Sequence, residues 1–203
     1  NASPRGFRIG QRATVLIDSR QLQNNSQIEA DICIIGGGAA GVSLALLLAS
    51  KNISVALLES GGLSFDAKTL DLYRGENVGL PYEFAGGHRT RYLGGSSNCW
   101  GGWCRPWTEH EFLRRSWVPD SDWPIRFKDV EPYYADALKL LKLKSSNFDT
   151  AYWERAVNRP TVRRFPTDET KVVDSMSQFS PPVRFGIDYR TELETSKLIR
   201  VYL

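Results

Sequence analysis

The chain has 203 residues, room for one large domain or one and a half, and its 41% apolar share suits an ordinary globular core. A net charge of +3, with basic residues scattered or merely paired as in Arg114-Arg115 and Arg163-Arg164, speaks against a nucleic-acid partner and reads as solvated faces. Three cysteines is an odd count that argues against a disulfide framework, and no apolar run approaches the ~20 residues of a membrane span.

Both ends read as cut. Residues 1–14 are taken as upstream sequence, because Val15-Leu16-Ile17-Asp18 makes a more natural start than Asn1. Residues 15–30 are polar and Gln/Asn-rich, a lead-in or a short strand, so 1–29 is assigned as an N-terminal extension or lead-in. No charged-then-apolar leader precedes the first strand, which gives a cytoplasmic expectation. In such a chain the Asn24-Asn25-Ser26 and Asn52-Ile53-Ser54 triplets are chance matches to the glycosylation pattern.

Residues 30–62 carry most of the information. An apolar run at Ile32–Ile35 predicts a strand, and Gly36-Gly37-Gly38-Ala39-Ala40-Gly41 a glycine turn opening a helix. A second apolar run, Val55–Leu58, stops on Glu59. Strand, turn, helix, strand and an acid about 20 residues on is the order of a nucleotide-binding βαβ unit. Gly36 permits the tight turn, Gly38 leaves room for a pyrophosphate, and Gly41 lets the helix approach the sheet. The helix N-terminus offers N–H groups and a positive dipole end to phosphate. Glu59 can accept hydrogen bonds from both ribose hydroxyls, and it repels a 2′-phosphate, which argues against NADP. A glycine-rich turn in an ordinary α/β fold stays open as the competing reading.

Residues 61–87 are expected to form an irregular surface connection carrying isolated aromatics, Phe65, Tyr73, Tyr82 and Phe84. A second glycine cluster follows within 88–107: Tyr92-Leu93-Gly94-Gly95-Ser96-Ser97-Asn98-Cys99-Trp100-Gly101-Gly102-Trp103. Small residues there let backbone approach something flat, with the tryptophans as walls. Val118–Ile125 is turn-like. Val130, Tyr133/Tyr134, Ala137/Leu138 and Leu141 predict an amphipathic helix over 127–143, with Lys139, Lys142 and Lys144 near its C-terminal end. Residues 145–180 are polar, contain Pro160 and Pro166, and stop at Ser180-Pro181-Pro182. A fresh β-like segment is expected near Val183, and Ile199–Leu203 resembles a strand in mid-course.

Several residues carry a bland reading beside a functional one. Cys33, inside the first βαβ strand, is expected in the core. Cys99 and Cys104 lack the further ligands a metal site needs, so no metal is assigned. Trp103, Trp107, Trp117 and Trp123 form either a sugar platform or packing. His110, in Thr108-Glu109-His110-Glu111, is expected to be exposed at a helix start.

Taken together, the chain resembles the N-terminal part of a glucose–methanol–choline (GMC) flavin oxidoreductase, closest to the bacterial branch related to pyranose 2-oxidase. The resemblance covers about residues 15–203 and rests on the βαβ unit with Glu59, on Arg91–Gly102, and on Trp103-Cys104-Arg105-Pro106. Trp117-Val118-Pro119, Trp123-Pro124-Ile125 and Gln178–Gly186 extend it. It implies an α/β, Rossmann-like FAD-binding domain over 30–160, with a flavin-lining loop at 88–107. Residues 161–203 would open an α+β substrate domain that is truncated here.

It further implies FAD held by Gly36, Gly38, Ala40, Gly41 and Glu59 at its adenosine end. Arg91, Gly94, Gly95, Ser96, Asn98, Cys99, Trp100 and Gly101 would lie along the pyrophosphate and flavin ring. A sugar or alcohol would give hydride to flavin N5, and oxygen, a quinone or another acceptor would reoxidise the flavin. The family's histidine base lies far downstream, so no catalytic residue is assigned and neither His88 nor His110 is drafted for it. Cys99 occupies a position where some members carry a flavin-linked histidine. A thioether and a small thiol packed beneath the ring are both open, the second favoured. Gly101 departs from a flavin-contacting threonine. A nonenzymatic FAD-binding remnant is the alternative function, and an NAD-dependent dehydrogenase using the βαβ unit alone is a third.

Overall fold

The computed structural model describes residues 15–81, 88–157, 165–168 and 170–203. The expectations for 1–14, Tyr82, Phe84, Pro160 and Arg163-Arg164 lie outside those residues. In chain order the elements are β1 (Leu16–Ile17), β2 (Ile32–Ile35), α1 (Ala39–Ser50), β3 (Val55–Leu58), α2 (Ala67–Leu70) and β4 (Trp103–Cys104). They continue as α3 (Glu109–Phe112), α4 (Phe127–Val130), α5 (Tyr134–Leu140), α6 (Thr150–Val157), β5 (Gln178–Phe179), α7 (Phe185–Asp188), α8 (Arg190–Thr195) and β6 (Ile199–Tyr202). The chain forms two compact units, one from residues 1–100 with 184–203, the other from 101–183.

The first unit is α/β. Its parallel sheet has the order β1-β6-β3-β2, with Ile32 opposite Val55 and Val55 opposite Ile199. α1 crosses from β2 to β3 and buries Val42 and Ala45, while Val55, Leu57, Leu193, Ile199 and Val201 complete the core. The helix ends where Asn52 takes a left-handed conformation (φ 63°), which asparagine tolerates better than most residues. Asp31 ties the two strand starts together, its carboxylate accepting the Ser54 N–H at 2.8 Å and hydroxyl at 2.6 Å. Those Ser54 bonds hold the Asp31 carboxyl below its usual range.

One open expectation is decided and two change. Of the two readings of 15–30 the short strand holds at Leu16–Ile17, where Val15 and Ile17 carbonyls accept N–H groups of Val201 and Leu203 at 2.8 and 2.9 Å. Cys33 is exposed rather than core, since β2 ends the sheet order and buries only Ile34. Val183 does not open a strand. The Asp188 carboxylate accepts the Arg184 N–H at 2.8 Å and starts α7, so the next strand waits until Ile199.

The second unit pairs β4 antiparallel with β5, Trp103 opposite Phe179. Trp107, Phe112, Trp123, Phe127 and Tyr134 form a chain of ring contacts at centroid distances of 5.3 to 6.2 Å. Trp107 and Trp123 pack against these rings while staying 45% and 49% exposed, Trp103 sets its ring against Phe179 at 5.1 Å, and Trp117 is 74% exposed. The helix expected over 127–143 is interrupted by a 3-10 turn at Glu131–Tyr133, since Pro132 lacks the N–H that a continuous α-helix needs. Lys142, at φ 53°, lies beyond its end, so of the three lysines only Lys139 sits in the last turn. α6 occupies part of the stretch read as polar connection.

Candidate cofactor site

The site grows from the C-terminal end of β2. Gly36 has φ +107°, a conformation that L side chains rarely adopt, and turns the chain toward α1. Gly38 is the N-cap residue of that helix, so the first N–H groups of its opening turn have no partner within the helix. A Cβ on Gly41 would collide with the Gly36 carbonyl oxygen, so only glycine lets the helix start this close to the strand end. A Cβ on Gly38 would find nothing nearer than the Gly95 Cα at 4.0 Å. The space beside it is open, a cradle at the helix N-terminus that a larger residue would fill. Ala40 is exposed in the same turn.

Glu59 reaches under this turn. Its Oε2 accepts the Gly37 N–H at 2.8 Å, and its Oε1 accepts the Ser60 hydroxyl and the Gly61 N–H, both at 3.1 Å. The carboxylate thus joins the end of β3 to the glycine turn.

The second glycine cluster lies against the first. Gly94 donates its N–H to the Gly37 carbonyl at 2.8 Å and forms a parallel bridge with Gly38. Gly95 then passes so close that its Cβ would stand 3.0 Å from the Gly38 Cα. Leu93, 1% exposed, anchors the segment by donating to the Gly62 carbonyl at 3.0 Å. Behind it, the Ser97 hydroxyl donates to the Gly94 carbonyl at 2.6 Å and accepts the Phe185 N–H at 3.1 Å. The Asn98 amide donates to the Leu93 carbonyl at 3.0 Å, while its Oδ1 is buried and has no hydrogen-bond partner among the described residues.

Of the residues expected to line a flavin, Ser96 and Cys99 are exposed and Trp100 is half-buried. The Cys99 thiol points to the Ser96 carbonyl at 3.4 Å. Gly101 opens the second unit, and a Cβ on it would meet Trp103 at 3.7 Å. Arg91 donates from Nε to the Ser60 hydroxyl at 2.9 Å, with its guanidinium carbon 4.9 Å from the Tyr73 ring centroid. Cys104, in contrast, is buried, and burial pushes its thiol pKa up. His88 and His110 are exposed.

Sequence reasoning passed over Gly37, Gly61, Ser97 and Gly186. A Cβ at Gly61 would strike the Arg91 carbonyl, and one at Gly186 the Leu93 carbonyl. The Gly61-Gly62 pair that follows Glu59-Ser60 was the available signal. Gly186 enters only as the end of the Gln178–Gly186 stretch of the resemblance, and its partner comes from the second glycine cluster. Among the described residues no group of His, Cys, Asp or Glu is arranged to hold a metal ion, and no helix is long and apolar enough to cross a membrane.

Residues 34–92, from the end of β2 to the edge of the second glycine cluster, match the family described as the NAD(P)-binding Rossmann-like domain. The chain carries a dinucleotide-binding Rossmann domain. Such a domain suggests oxidoreductase activity with a dinucleotide cofactor, FAD or NAD(P). No curated protein matches the sequence.

Proposed function

We propose that the chain is the N-terminal part of an FAD-dependent oxidoreductase of the GMC type, acting on the CH–OH group of a sugar or alcohol. The observation that carries this reading is the main-chain contact of Gly94 with Gly37 and Gly38, which brings a second small-residue segment onto the phosphate turn. A nicotinamide site built from a βαβ unit alone has no need of that segment. The donor set fits an ADP half: an opening helix turn with no side-chain cap at Gly38, open space beside that glycine, and a carboxylate at Glu59.

In this reading the turn from Gly36 to Gly41, with Ala40, holds the pyrophosphate and Glu59 the ribose. Arg91, Gly94, Gly95, Ser96 and Asn98 flank the phosphates, and Cys99, Trp100 and Gly101 continue toward the flavin ring. Bound flavin supplies a hydride acceptor at N5, reoxidised by oxygen, a quinone or another acceptor. These residues bind and orient. None of them is a base for the substrate hydroxyl, so the chain by itself is expected to turn over no substrate.

A second reading, an NAD(P) site, is favoured by the description of the matching family. A visible spectrum of the purified chain after addition of FAD, followed by acid precipitation, separates the two. Flavin absorbance retained through gel filtration and released into the acid supernatant is expected. Colour held in the pellet, and lost in Cys99→Ala, means a thioether at Cys99. A chain that retains no FAD but binds NAD(P) overturns the flavin reading.

A further inference from the structure

Glu59 is more heavily engaged than a ribose-binding acid needs to be. A carboxylate offers about four acceptor positions. Gly37 and Gly61 N–H groups take one each, and the Ser60 hydroxyl takes a third. The Ser60 proton goes to Glu59 because an ionised carboxylate only accepts, while the hydroxyl oxygen accepts the Arg91 Nε–H at 2.9 Å. A directed chain therefore runs from Arg91 through Ser60 to Glu59 Oε1.

Arg91 is itself fixed from three sides. Its carbonyl lies against Gly61 where no Cβ fits, Leu93 two residues on bonds to Gly62, and its guanidinium sits over the Tyr73 ring. The cation lies one residue's reach from a carboxylate yet makes no direct ion pair with it among the contacts described. Its attraction acts on Oε1 through the serine, while Oε2 is held by the glycine turn.

We propose that Arg91 is a positioning residue that acts through Ser60 to orient Glu59, so that its one remaining acceptor position meets a single hydroxyl of the adenosine ribose. This rests on the dinucleotide reading of the site, and it places the action of Arg91 at the ribose end of the ligand rather than beside the phosphates. Two consequences follow. The protein discriminates strongly against only one of the two deoxyribose forms, and that discrimination depends on Arg91 and Ser60.

The test is calorimetric titration of the chain with ADP, 2′-deoxy-ADP and 3′-deoxy-ADP. In the parent protein one deoxy form is expected to bind about tenfold more weakly than ADP, the worth of one hydrogen bond to a charged acceptor, and the other nearly as well as ADP. Arg91→Ala and Ser60→Ala are each expected to shrink the larger penalty severalfold, and their combination no further. Ser60 is exposed, so its variant interrupts the chain without disturbing packing. A residue that merely supports the fold would weaken all three nucleotides alike, and that outcome overturns the proposal. Equal penalties for the two deoxy forms, or an unchanged penalty in both variants, also overturn it. A parent chain that binds ADP but shows these contrary patterns leaves the dinucleotide reading intact, whereas one that binds no ADP removes both.

Discussion

Gly38 and Gly41 stand three residues apart and answer to different demands. Gly38 has φ −78° and ψ −173°, backbone that any L residue adopts, and its missing Cβ would project into open space. Gly41 is closed in by the Gly36 carbonyl and by Ile34 Cγ2, 3.4 Å from the would-be Cβ. Gly38→Ala should therefore leave stability within about 0.5 kcal/mol of the parent yet weaken ADP binding at least tenfold, because the methyl takes up phosphate space. Gly41→Ala should cost about 1–3 kcal/mol through overpacking. Urea unfolding and ADP titration of both variants check this, and a stable Gly38→Ala with undiminished ADP affinity would mean that phosphate lies elsewhere. Gly36, Gly38, Gly41 and Glu59 could be singled out from sequence because their spacing is dictated within one βαβ unit. Gly61 and Gly186 received no role, because each is demanded by backbone arriving from a distant segment. Cys33 was misread because an apolar run says nothing about whether its strand ends the sheet.

At the scale of elements, the βαβ unit matches its expected bounds because periodicity, glycine turn and strand runs all agree there. The short helices α7 and α8, four and six residues long, left no such signal. Helices that short are set by tertiary context rather than propensity. α3 is equally short, but it carries a local device. Glu111 Oε2 accepts both the N–H and the hydroxyl of Thr108 at 2.7 Å, and its Oε1 pairs with Arg105 at 2.8 Å. The Thr108 hydroxyl bond, above all, holds the Glu111 carboxyl below its ordinary 4.5 despite partial burial, with Arg105 adding a smaller pull. A depressed folded pKa gives stability that is complete above the unfolded value and fades as pH falls through the folded one. Glu111→Gln should thus cost about 0.5–1 kcal/mol at pH 7. That difference should shrink once the pH drops below 4.5. Paired urea titrations at neutral and acid pH measure it; a cost that does not vary with pH would assign the effect to geometry rather than charge.

The molecule as a whole is organised by a strand that comes last in the chain. The cut drawn from sequence, 30–160 and 161–203, follows the order of residues, whereas the compact units follow pairing: 184–203 returns to the unit that begins the chain. β6 sits between β1 and β3, with Ile199 and Val201 buried at 1% and 0% exposure, and α8 brings Leu193 into the same core. No local pattern reveals this, since Val55 and its partner Ile199 are separated by the entire second unit. A chain ending at Val183 would keep only the two-stranded β2–β3 pair and would leave β1 without a partner, and a two-stranded pair is marginal in water. It would also lose the Phe185 N–H bond to Ser97 and the seat that Gly186 provides for Leu93, both of which steady the second glycine cluster. Removal of 184–203 should therefore abolish ADP binding together with the cooperative loss of parallel-sheet signal in circular dichroism. Five of the six tryptophans, Trp103, Trp107, Trp117, Trp123 and Trp153, lie within 101–183, so in a Trp100→Phe background tryptophan fluorescence reports on the second unit apart from that loss. A truncated chain that still binds ADP with the parent affinity would show that β2, α1 and β3 hold the phosphate turn without the central strand beside them.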